Sequence, residues 1–304
     1  MAKEKKDNLT EPTKRKRRFG DRYDGWRIRG KNEGLFFSLI PYIMRTRLDS
    51  QCFFDELIDL EAVNKLINQL RRDGKKDIRI YHFVVAAIVR TISQRPRMNR
   101  FVAGHKIYAR KDVCVAMAIK RNLTDDGAET TIKPTFSRKD TLFDVVEKMN
   151  NDFTLAAASE AETDVDGFVK ILQKMPGFLK QFIVFLARNL DKIGLLPKFI
   201  HEISPFHSSI FLTDVGSLGI ASVYHHLYEF GTTSVFIGMG KKETKLAIDR
   251  EGHVKEKKYI NFRLVVDERI CDGYYYATTI KTFRRLMLHP ESLLTPPENI
   301  CEDL

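Results

Sequence analysis

Residues 265–275 read VVDERICDGYY. A short apolar run ends in three consecutive charged residues, Asp267-Glu268-Arg269, and a second acid follows at Asp272, just before Gly273. The apolar run predicts a buried strand, and Asp-Gly is typical of a turn. Charged side chains grouped where a buried strand stops indicate a reaction centre at this point of the chain.

Around this stretch, the C-terminal third of the sequence predicts strands that follow one another and one closing helix. The strands are predicted in SSIFLTDVGSLGIA, SVFIGMG, KLAIDREGHV and KKYINFRLVVDE, with a turn at Glu251-Gly252. The helix is predicted in ATTIKTFRRLMLHPESLL. Successive strands without helices between them favour hairpins over parallel crossovers.

Helical patterns dominate the earlier part of the chain. EAVNKLINQLRRDGKK has apolar residues at helical spacing and stops at Asp73-Gly74, and IYHFVVAAIVRTISQRP is apolar nearly all round, which predicts a buried helix. RFVAGHKIYARKDVCVAMAIKR predicts a hairpin with Gly104 at the turn, followed by a core strand. A further helix is expected after Asp140 or Thr141, either of which is a suitable cap.

This order of elements predicts an α/β two-layer sandwich, a mixed β-sheet flanked by helices. A parallel doubly wound sheet is disfavoured, because the late strands lack intervening helices. A nucleotide-binding fold has no support, since no GxGxxG follows a strand and no GxxxxGK[ST] occurs.

Composition points to an ordinary globular protein, with 43% hydrophobic and 30% charged residues. The sequence predicts no membrane span, since no apolar run approaches the ~20 residues that one needs. Nothing at the N-terminus resembles a signal peptide. The four cysteines are widely spaced, which predicts reduced thiols in a cytoplasmic protein.

The net charge of +11 is concentrated in residues 1–31, which hold twelve Lys or Arg against five Asp or Glu. We interpret residues 1–31 as a basic, flexible arm and residues 32–304 as the folded domain. The run KRKRR, Lys14 to Arg18, is compatible with binding to nucleic acid or another polyanion. A solvated arm is favoured, and nucleic acid is not an expected partner, because no zinc-finger spacing or RNA-binding signature accompanies the run.

Residues 164–203 have an unusual composition. The stretch predicts two or three short amphipathic helices, punctuated by Pro176-Gly177, Gly194 and Pro197. Such helices can pack on the domain, line a substrate channel, face another subunit or touch a membrane surface. Packing on the domain is the expectation.

Three stretches, in this order, resemble the catalytic domain of the 2-oxo acid dehydrogenase acyltransferases, the dihydrolipoamide acyltransferase family. They are RFVAGHKIYARKDVCVAMAIKR, the pair IFLTDVGSLGI and SVFIGMGKKE, and NFRLVVDERICDGYYYATTIKTFRRLMLHPESLL, whose turn is similar to the family's DHRxxDG motif. The resemblance covers roughly residues 35–295, with 164–203 as an insertion. It implies the fold of chloramphenicol acetyltransferase and a homotrimer with its site between neighbouring subunits.

The resemblance also implies catalytic residues. In the family, the motif histidine removes the proton of a thiol, and a Ser or Thr hydroxyl stabilises the tetrahedral oxyanion. By position, Asp267, Arg269, Asp272 and Gly273 match the motif, and Thr213 matches the hydroxyl. The base position is held by Glu268 instead of histidine. The predicted catalytic residues are therefore Glu268, Asp272 and Thr213, with Asp272 mainly structural.

The replacement matters because a glutamate has a pKa of about 4.3 and a thiol one near 8.5, so proton transfer is uphill by roughly 6 kcal/mol. The resemblance implies a CoA-dependent acyltransferase, with impaired or altered activity, acting on a thiol, amine or hydroxyl acceptor. The alternative is a non-catalytic trimeric scaffold that binds acyl-CoA. Coenzyme A enters as substrate, no CoA-binding residue is assigned, and no lipoyl attachment site is found in the chain.

Other residues with catalytic chemistry are weaker candidates. His207 is the best alternative base, and the pair His225-His226 superficially resembles an HHxxxDG site, but Phe230 occupies the acid position. Cys271 is expected to be a small buried filler. The glycines of Gly216-Ser217-Leu218-Gly219 are expected to permit a tight strand turn. No histidine pair has metal-ligand spacing, so no metal is predicted.

Acyltransferases of dehydrogenase complexes normally carry a lipoyl domain and a subunit-binding domain upstream of the catalytic domain. Here about 30 mostly basic residues precede the region of resemblance. We therefore expect that this chain is not the ordinary core of such a complex, unless a separate protein supplies the swinging arm.

Overall fold

The computed structural model describes residues 15–29, 37–120, 129–158, 173–248 and 251–303. In these ranges the strands are β1 Gly25–Arg27, β2 Gln51–Asp59, β3 Arg100–Ala103, β4 Lys106–Arg110, β5 Val113–Lys120, β6 Glu129–Ile132, β7 Thr135–Phe136, β8 Ile210–Asp214, β9 Val235–Ile248 and β10 Val254–Asp267. The helices are α1 Ile40–Ile43, α2 Glu61–Arg72, α3 Ile80–Gln94, α4 Leu142–Ala158, α5 Gly177–Ile193, α6 Lys198–Ile203 and α7 Gly273–Leu288.

The main sheet has the strand order β2-β10-β9-β8-β5-β6, and β7 adds to β5. β8 pairs in parallel with β5 and β9, and the other pairs are antiparallel, so the sheet is mixed. A smaller sheet has the order β1-β4-β3. The structure thus confirms the predicted α/β architecture.

The core lies between the main sheet and a layer of helices that includes α2, α3 and α7. α3 is buried on every side, as its sequence predicts, and its Phe83 and Val85 are fully buried. α7 packs against α3 and also contacts α2 and β2. This packing fixes the start of α7, and therefore the turn at Asp267–Asp272 that precedes it.

Two element boundaries differ from the sequence expectation. The predicted strand SVFIGMG and the KLAI part of the predicted strand KLAIDREGHV belong to one continuous strand, β9, because residues 235–248 pair with β10 along their whole length around a bulge near Ile260. α7 begins at Gly273, before the predicted ATTIKTF, because Asp272 caps it. The turn at Glu251-Gly252 lies where expected, with a φ of 87° at Gly252.

The structure joins part of the predicted basic arm to the body. β1 lies inside residues 1–31 and pairs with β4 from Gly25↔Arg110 to Arg27↔Tyr108. Gly25 is required there, because a Cβ would lie 2.9 Å from the Phe101 ring. Arg22 is buried and bonds Asp24 and Asp191.

Helices α5 and α6 lie in the described part of residues 164–203, and Gly194, with a φ of 75°, ends α5. No helix among the described residues is long and apolar enough to cross a membrane.

Candidate active site

The three charges at the end of β10 have different surroundings. Asp267 and Arg269 are buried and form an ion pair, with Arg269 Nη2 2.7 Å and Nε 2.8 Å from the two Asp267 carboxylate oxygens. Ser50 Oγ donates to the same carboxylate over 3.0 Å. A buried strand can end at Asp267 and Arg269 because both charges are paired and hydrogen-bonded.

This pair attaches the turn to the segment before β2. The Arg269 guanidinium donates to the carbonyls of Met44 and Arg45, both at 3.2 Å. The hydroxyl of Tyr276 donates to the Asp267 carbonyl over 2.6 Å, which joins the turn to α7. The turn between β10 and α7 is therefore held from three sides.

Glu268 lies between the two paired residues and is half-buried. Its backbone N–H donates to the Ser50 carbonyl over 2.8 Å. The Arg269 guanidinium pairs with Asp267 and not with Glu268. Arg269, although adjacent in sequence, is therefore not the counter-ion of Glu268. The Glu268 side chain is thus left available for another partner.

Cys52 is that partner in this chain. Burial, together with the negative charge of Glu268 and a hydrogen bond to its carboxylate, raises the pKa of the Cys52 thiol to about 11. The contact follows from the sheet, because Cys52 on β2 pairs with Val266 on β10. Sequence analysis missed Cys52, and pairing QCFF with VVDE as antiparallel neighbours was the signal that could have found it.

Asp272 has a clear structural role. Its carboxylate accepts a hydrogen bond from the backbone N–H of Tyr275 over 2.8 Å, which is an N-cap on α7. The residue is exposed.

Thr213 lies near the end of β8, half-buried, and pairs with Gly238 on β9. Gly238 is necessary there, because a Cβ would lie 2.4 Å from the Val223 carbonyl oxygen. Asp214 accepts from the backbone N–H of Ser217 over 3.1 Å and starts a turn in which Gly219 has a φ of 76°. The predicted tight turn after Thr213 is present.

The sheet register separates Thr213 from Glu268 in one chain. Thr213 on β8 pairs with Gly238 on β9. Gly238 in turn pairs with Arg263 on β10, which lies five residues before Glu268. Five residues along a strand and two strands across the sheet correspond to roughly 15–20 Å. The base position and the hydroxyl position therefore do not meet within one chain.

A cavity of about 220 Å³ opens beside the turn. Its wall includes five cationic residues and two acids: Arg45, Arg47, Arg188, Lys192, Arg269, Asp191 and Glu229. Arg47 is buried, donates to the carbonyls of Glu229 and Val102 over 3.1 Å, and its buried Nε atom has no partner. The cavity wall therefore carries more cationic than anionic side chains.

The alternative bases and the candidate thiol occupy structural positions. His207 is fully buried and contacts Ser204 Oγ at 2.8 Å and Asp191 at 3.2 Å, and burial lowers its pKa. His225 contacts the carbonyl of its neighbour His226 at 2.9 Å. Cys271 is buried, and burial raises its pKa well above the usual range, so it is a poor nucleophile.

The structure gives no indication of a metal centre in the parts of the chain that it describes. Within those ranges, no group of three His, Cys, Asp or Glu side chains could hold an ion.

Comparison with solved structures identifies the fold. A probable dihydrolipoamide acetyltransferase from Listeria monocytogenes 4b F2365 aligns with a TM-score of 0.53 at 12% identity, over 86% of this chain and 93% of that one. The cubic core of the pyruvate dehydrogenase multienzyme complex aligns with a TM-score of 0.53 at 12% identity, over 84% and 88%. A chloramphenicol acetyltransferase aligns with a TM-score of 0.50 at 11% identity, over 86% and 99%.

The chain therefore has the α/β fold of dihydrolipoamide acetyltransferase cores and chloramphenicol acetyltransferase. At these identities the likeness concerns the fold. No protein-family model matches the sequence. No curated protein sequence matches it either.

Proposed function

We propose that this chain is a CoA-dependent acyltransferase in which Glu268 acts as the general base. The observation that carries the proposal is the paired turn Asp267–Arg269, which presents Glu268 at the end of β10 in an acyltransferase-core fold. The two flanking residues are buried and paired with each other, so Glu268 is the one charged side chain of the three that lies outside this ion pair.

The proposed reaction moves one proton and one acyl group. The Glu268 carboxylate accepts the proton of the acceptor thiol, and the resulting thiolate attacks the carbonyl carbon of acyl-CoA. The Thr213 hydroxyl donates a hydrogen bond to the tetrahedral oxyanion. The carbon–sulfur bond to CoA then breaks, and the leaving CoA thiolate takes the proton back from Glu268.

We further propose a homotrimer in which Glu268 of one copy faces Thr213 of the next. Support comes from the separation of roughly 15–20 Å between the two residues within one chain. The alignment with the cubic core of a multienzyme complex is in keeping with assembly. We propose a cytoplasmic location, in line with the four cysteines, all of them free thiols.

The test is acyl transfer from acetyl-CoA to dihydrolipoamide by the purified chain, measured as release of free CoA. We expect slow turnover that Glu268→Gln abolishes and Glu268→His raises, since histidine has a pKa near 6.5 and faces a smaller uphill transfer. Thr213→Ala should lower the rate about 10²-fold or more, whereas Thr213→Ser, which keeps the hydroxyl, should retain most of it. No turnover with thiol, amine or hydroxyl acceptors, and no gain from Glu268→His, would contradict the proposal.

One observation favours a second function, an acyl-CoA-binding scaffold without turnover. The Cys52 thiol lies beside the Glu268 carboxylate, whose charge raises the pKa of the thiol, so the proposed base already has a neighbour in this chain. Calorimetric titration distinguishes the two functions: a scaffold binds acetyl-CoA without releasing CoA, and its affinity is unchanged in Thr213→Ala.

A further inference from the structure

α5 exposes an unusual stripe of large apolar side chains. Phe178 is 74% exposed, Phe182 59%, Phe185 64% and Ile193 66%. Their spacing, together with that of Leu186, confines them to a stripe about 100° wide on one side of the helix. The side next to this stripe carries the half-buried Leu179, Ile183 and Leu190, and the buried Asp191 lies opposite the stripe. Val184, 49% exposed, lies outside the stripe. The helix therefore rests on the body and turns its aromatic side outward.

The apolar surface continues past the end of α5. Leu195, in the turn to α6, is 66% exposed, and Phe199, in α6, is 54% exposed. We call the exposed apolar side chains of this stripe, of the turn after it and of α6 the aromatic face; its members are Phe178, Phe182, Phe185, Leu186, Ile193, Leu195 and Phe199. Exposed apolar side chains grouped in this way indicate a binding surface.

The exposed charges along α5 are positive, and Glu202, an exposed acid in α6, is the one exposed acid that the described residues place near Phe199 in the sequence. Arg188 and Lys192 flank the stripe, and Lys174 and Lys198 lie beyond the two ends of α5. The only acid between residues 173 and 201 is Asp191. That carboxylate is buried and bound by Arg22 over 2.8 Å and by His207 over 3.2 Å, so it does not offset the cations at the surface.

The Arg22–Asp191 pair also brings the basic N-terminal segment to the same part of the molecule. Lys16, Arg17 and Arg18 precede Arg22 and are exposed, and Phe19 is fully exposed. A second group of cations with an exposed aromatic ring is thus tied to the end of α5.

We propose that the aromatic face and its flanking cations bind the surface of an anionic lipid bilayer, with α5 lying in the plane of the interface. A helix with Phe and Leu on one side, and Lys and Arg beside them, matches the chemistry of interfacial helices. The apolar side chains enter the boundary between headgroups and acyl chains, and the cations attract anionic headgroups.

A second copy of the chain fits this face less well. Face-to-face contact would set Arg188 and Lys192 against the same cations of the partner. An anionic bilayer satisfies the apolar stripe and the cations together.

The experiment is co-flotation of the full-length chain with vesicles of phosphatidylcholine alone, or of equal parts phosphatidylcholine and phosphatidylglycerol. We expect binding to the mixed vesicles that added salt weakens, and at least tenfold weaker binding to neutral vesicles. The double variant Phe182→Asp/Phe185→Asp should lose binding at least tenfold. Arg188→Gln/Lys192→Gln should weaken it roughly fivefold per cation.

The matched control is Leu246→Asp/Ile248→Asp, which places two acids at side chains 74% and 75% exposed on β9, away from α5. This control changes the charge equally and should bind vesicles as the wild type does. Equal loss in the control would overturn the proposal, because binding would then depend on net charge alone.

Light scattering without vesicles separates the bilayer from a second copy. If Phe182→Asp/Phe185→Asp changes the oligomeric state while the wild type does not float, the face is a subunit interface and the proposal fails. Binding that survives the double variant but is lost on removal of residues 1–18 would also overturn it. Circular dichroism checks that each variant is folded. If Phe182→Asp/Phe185→Asp unfolds the chain, Arg188→Gln/Lys192→Gln tests the surface independently.

Discussion

The Asp267–Asp272 turn and α5 both depart from the usual placement of residues, in opposite directions. The turn places charged side chains inside the protein, where Asp267 and Arg269 are paired and hydrogen-bonded on several sides. α5 leaves phenylalanine side chains outside, where no other part of the described chain covers them.

The difference separates the two surfaces that we propose to be functional. Several internal contacts hold the turn in one position, which suits the proposed role of Glu268 as a fixed base. The aromatic face leaves large apolar side chains exposed to solvent, which suits binding to a partner outside the chain. Variants at each place should therefore affect different properties, stability at the turn and association at α5.

The largest effect is expected from breaking the buried pair. Arg269→Ala leaves Asp267 as an uncompensated buried charge, and the free energy of unfolding should fall by about 3–5 kcal/mol. Urea denaturation measures the change. Arg284→Ala is the matched control, since Arg284 pairs with Glu56 at the surface and should change stability by less than about 1 kcal/mol. A similar loss of unfolding free energy in the two variants would show that the buried pair stabilises the chain no more than the surface pair does.

The next effect concerns how α5 is attached to the body. Burial lowers the pKa of His207 below its unfolded value of about 6.5, so the unfolded chain binds more protons in the window below that pH. The contribution of His207 to stability is thus fully present above about pH 6.5 and is lost as the pH falls toward the folded pKa. The midpoint of urea unfolding should decrease between about pH 7 and pH 5.

His207→Gln should make this decrease smaller, whereas His289→Gln, at an exposed position, should leave it unchanged. A wild type whose unfolding midpoint is constant over this window would contradict the assignment.

A smaller effect is expected at the cap of α7. Asp272→Ala removes the acceptor for the Tyr275 N–H and should lower the free energy of unfolding by about 1 kcal/mol. Asp272→Asn keeps a capping oxygen and should retain most of the stability. If Asp272→Asn is as stable as the wild type but loses acyl transfer, Asp272 acts in the chemistry and not as a cap.

The smallest effect tests the contact between Glu268 and Cys52 without any assay of activity. The negative charge of Glu268 contributes to the raised pKa of Cys52. Glu268→Gln should therefore increase the thiolate fraction of Cys52 and speed its reaction with a disulfide reagent severalfold at mildly alkaline pH. Asp272→Asn is the control and should react at the wild-type rate. Equal rates in all three proteins would indicate that the two side chains do not interact.

The sequence predicted most of the elements because their signals are local. The Val63, Leu66, Ile67 and Leu70 spacing of α2 and the continuous apolar run of α3 required no knowledge of partners, and both helices are present. Thr141, one of two predicted caps, precedes α4 and bonds with Asp144. The split of β9 into two strands was wrong, because Lys241 and Lys242 interrupt the apolar pattern while the backbone pairing with β10 continues.

Residues that meet through tertiary pairing were harder to predict. The three charges of the turn are adjacent in sequence, but which of them is paired depends on Ser50, Met44 and Arg45, more than 200 positions earlier. The expectation that α5 packs on the domain depended on whether other elements would cover its apolar side. Amphipathicity shows that a helix has an apolar side and not what covers it.

The sequence by itself determined the alternation of helices and strands, the apolar character of the core and the motif-like turn that ends β10, since each depends on residue type and spacing along a short segment. Only the tertiary structure decided that Arg269 serves Asp267, that Cys52 meets Glu268, that Thr213 is two strands away from the turn, and that the phenylalanines of α5 stay outside. Those outcomes depend on strand register and on the packing of distant segments, which no local pattern encodes.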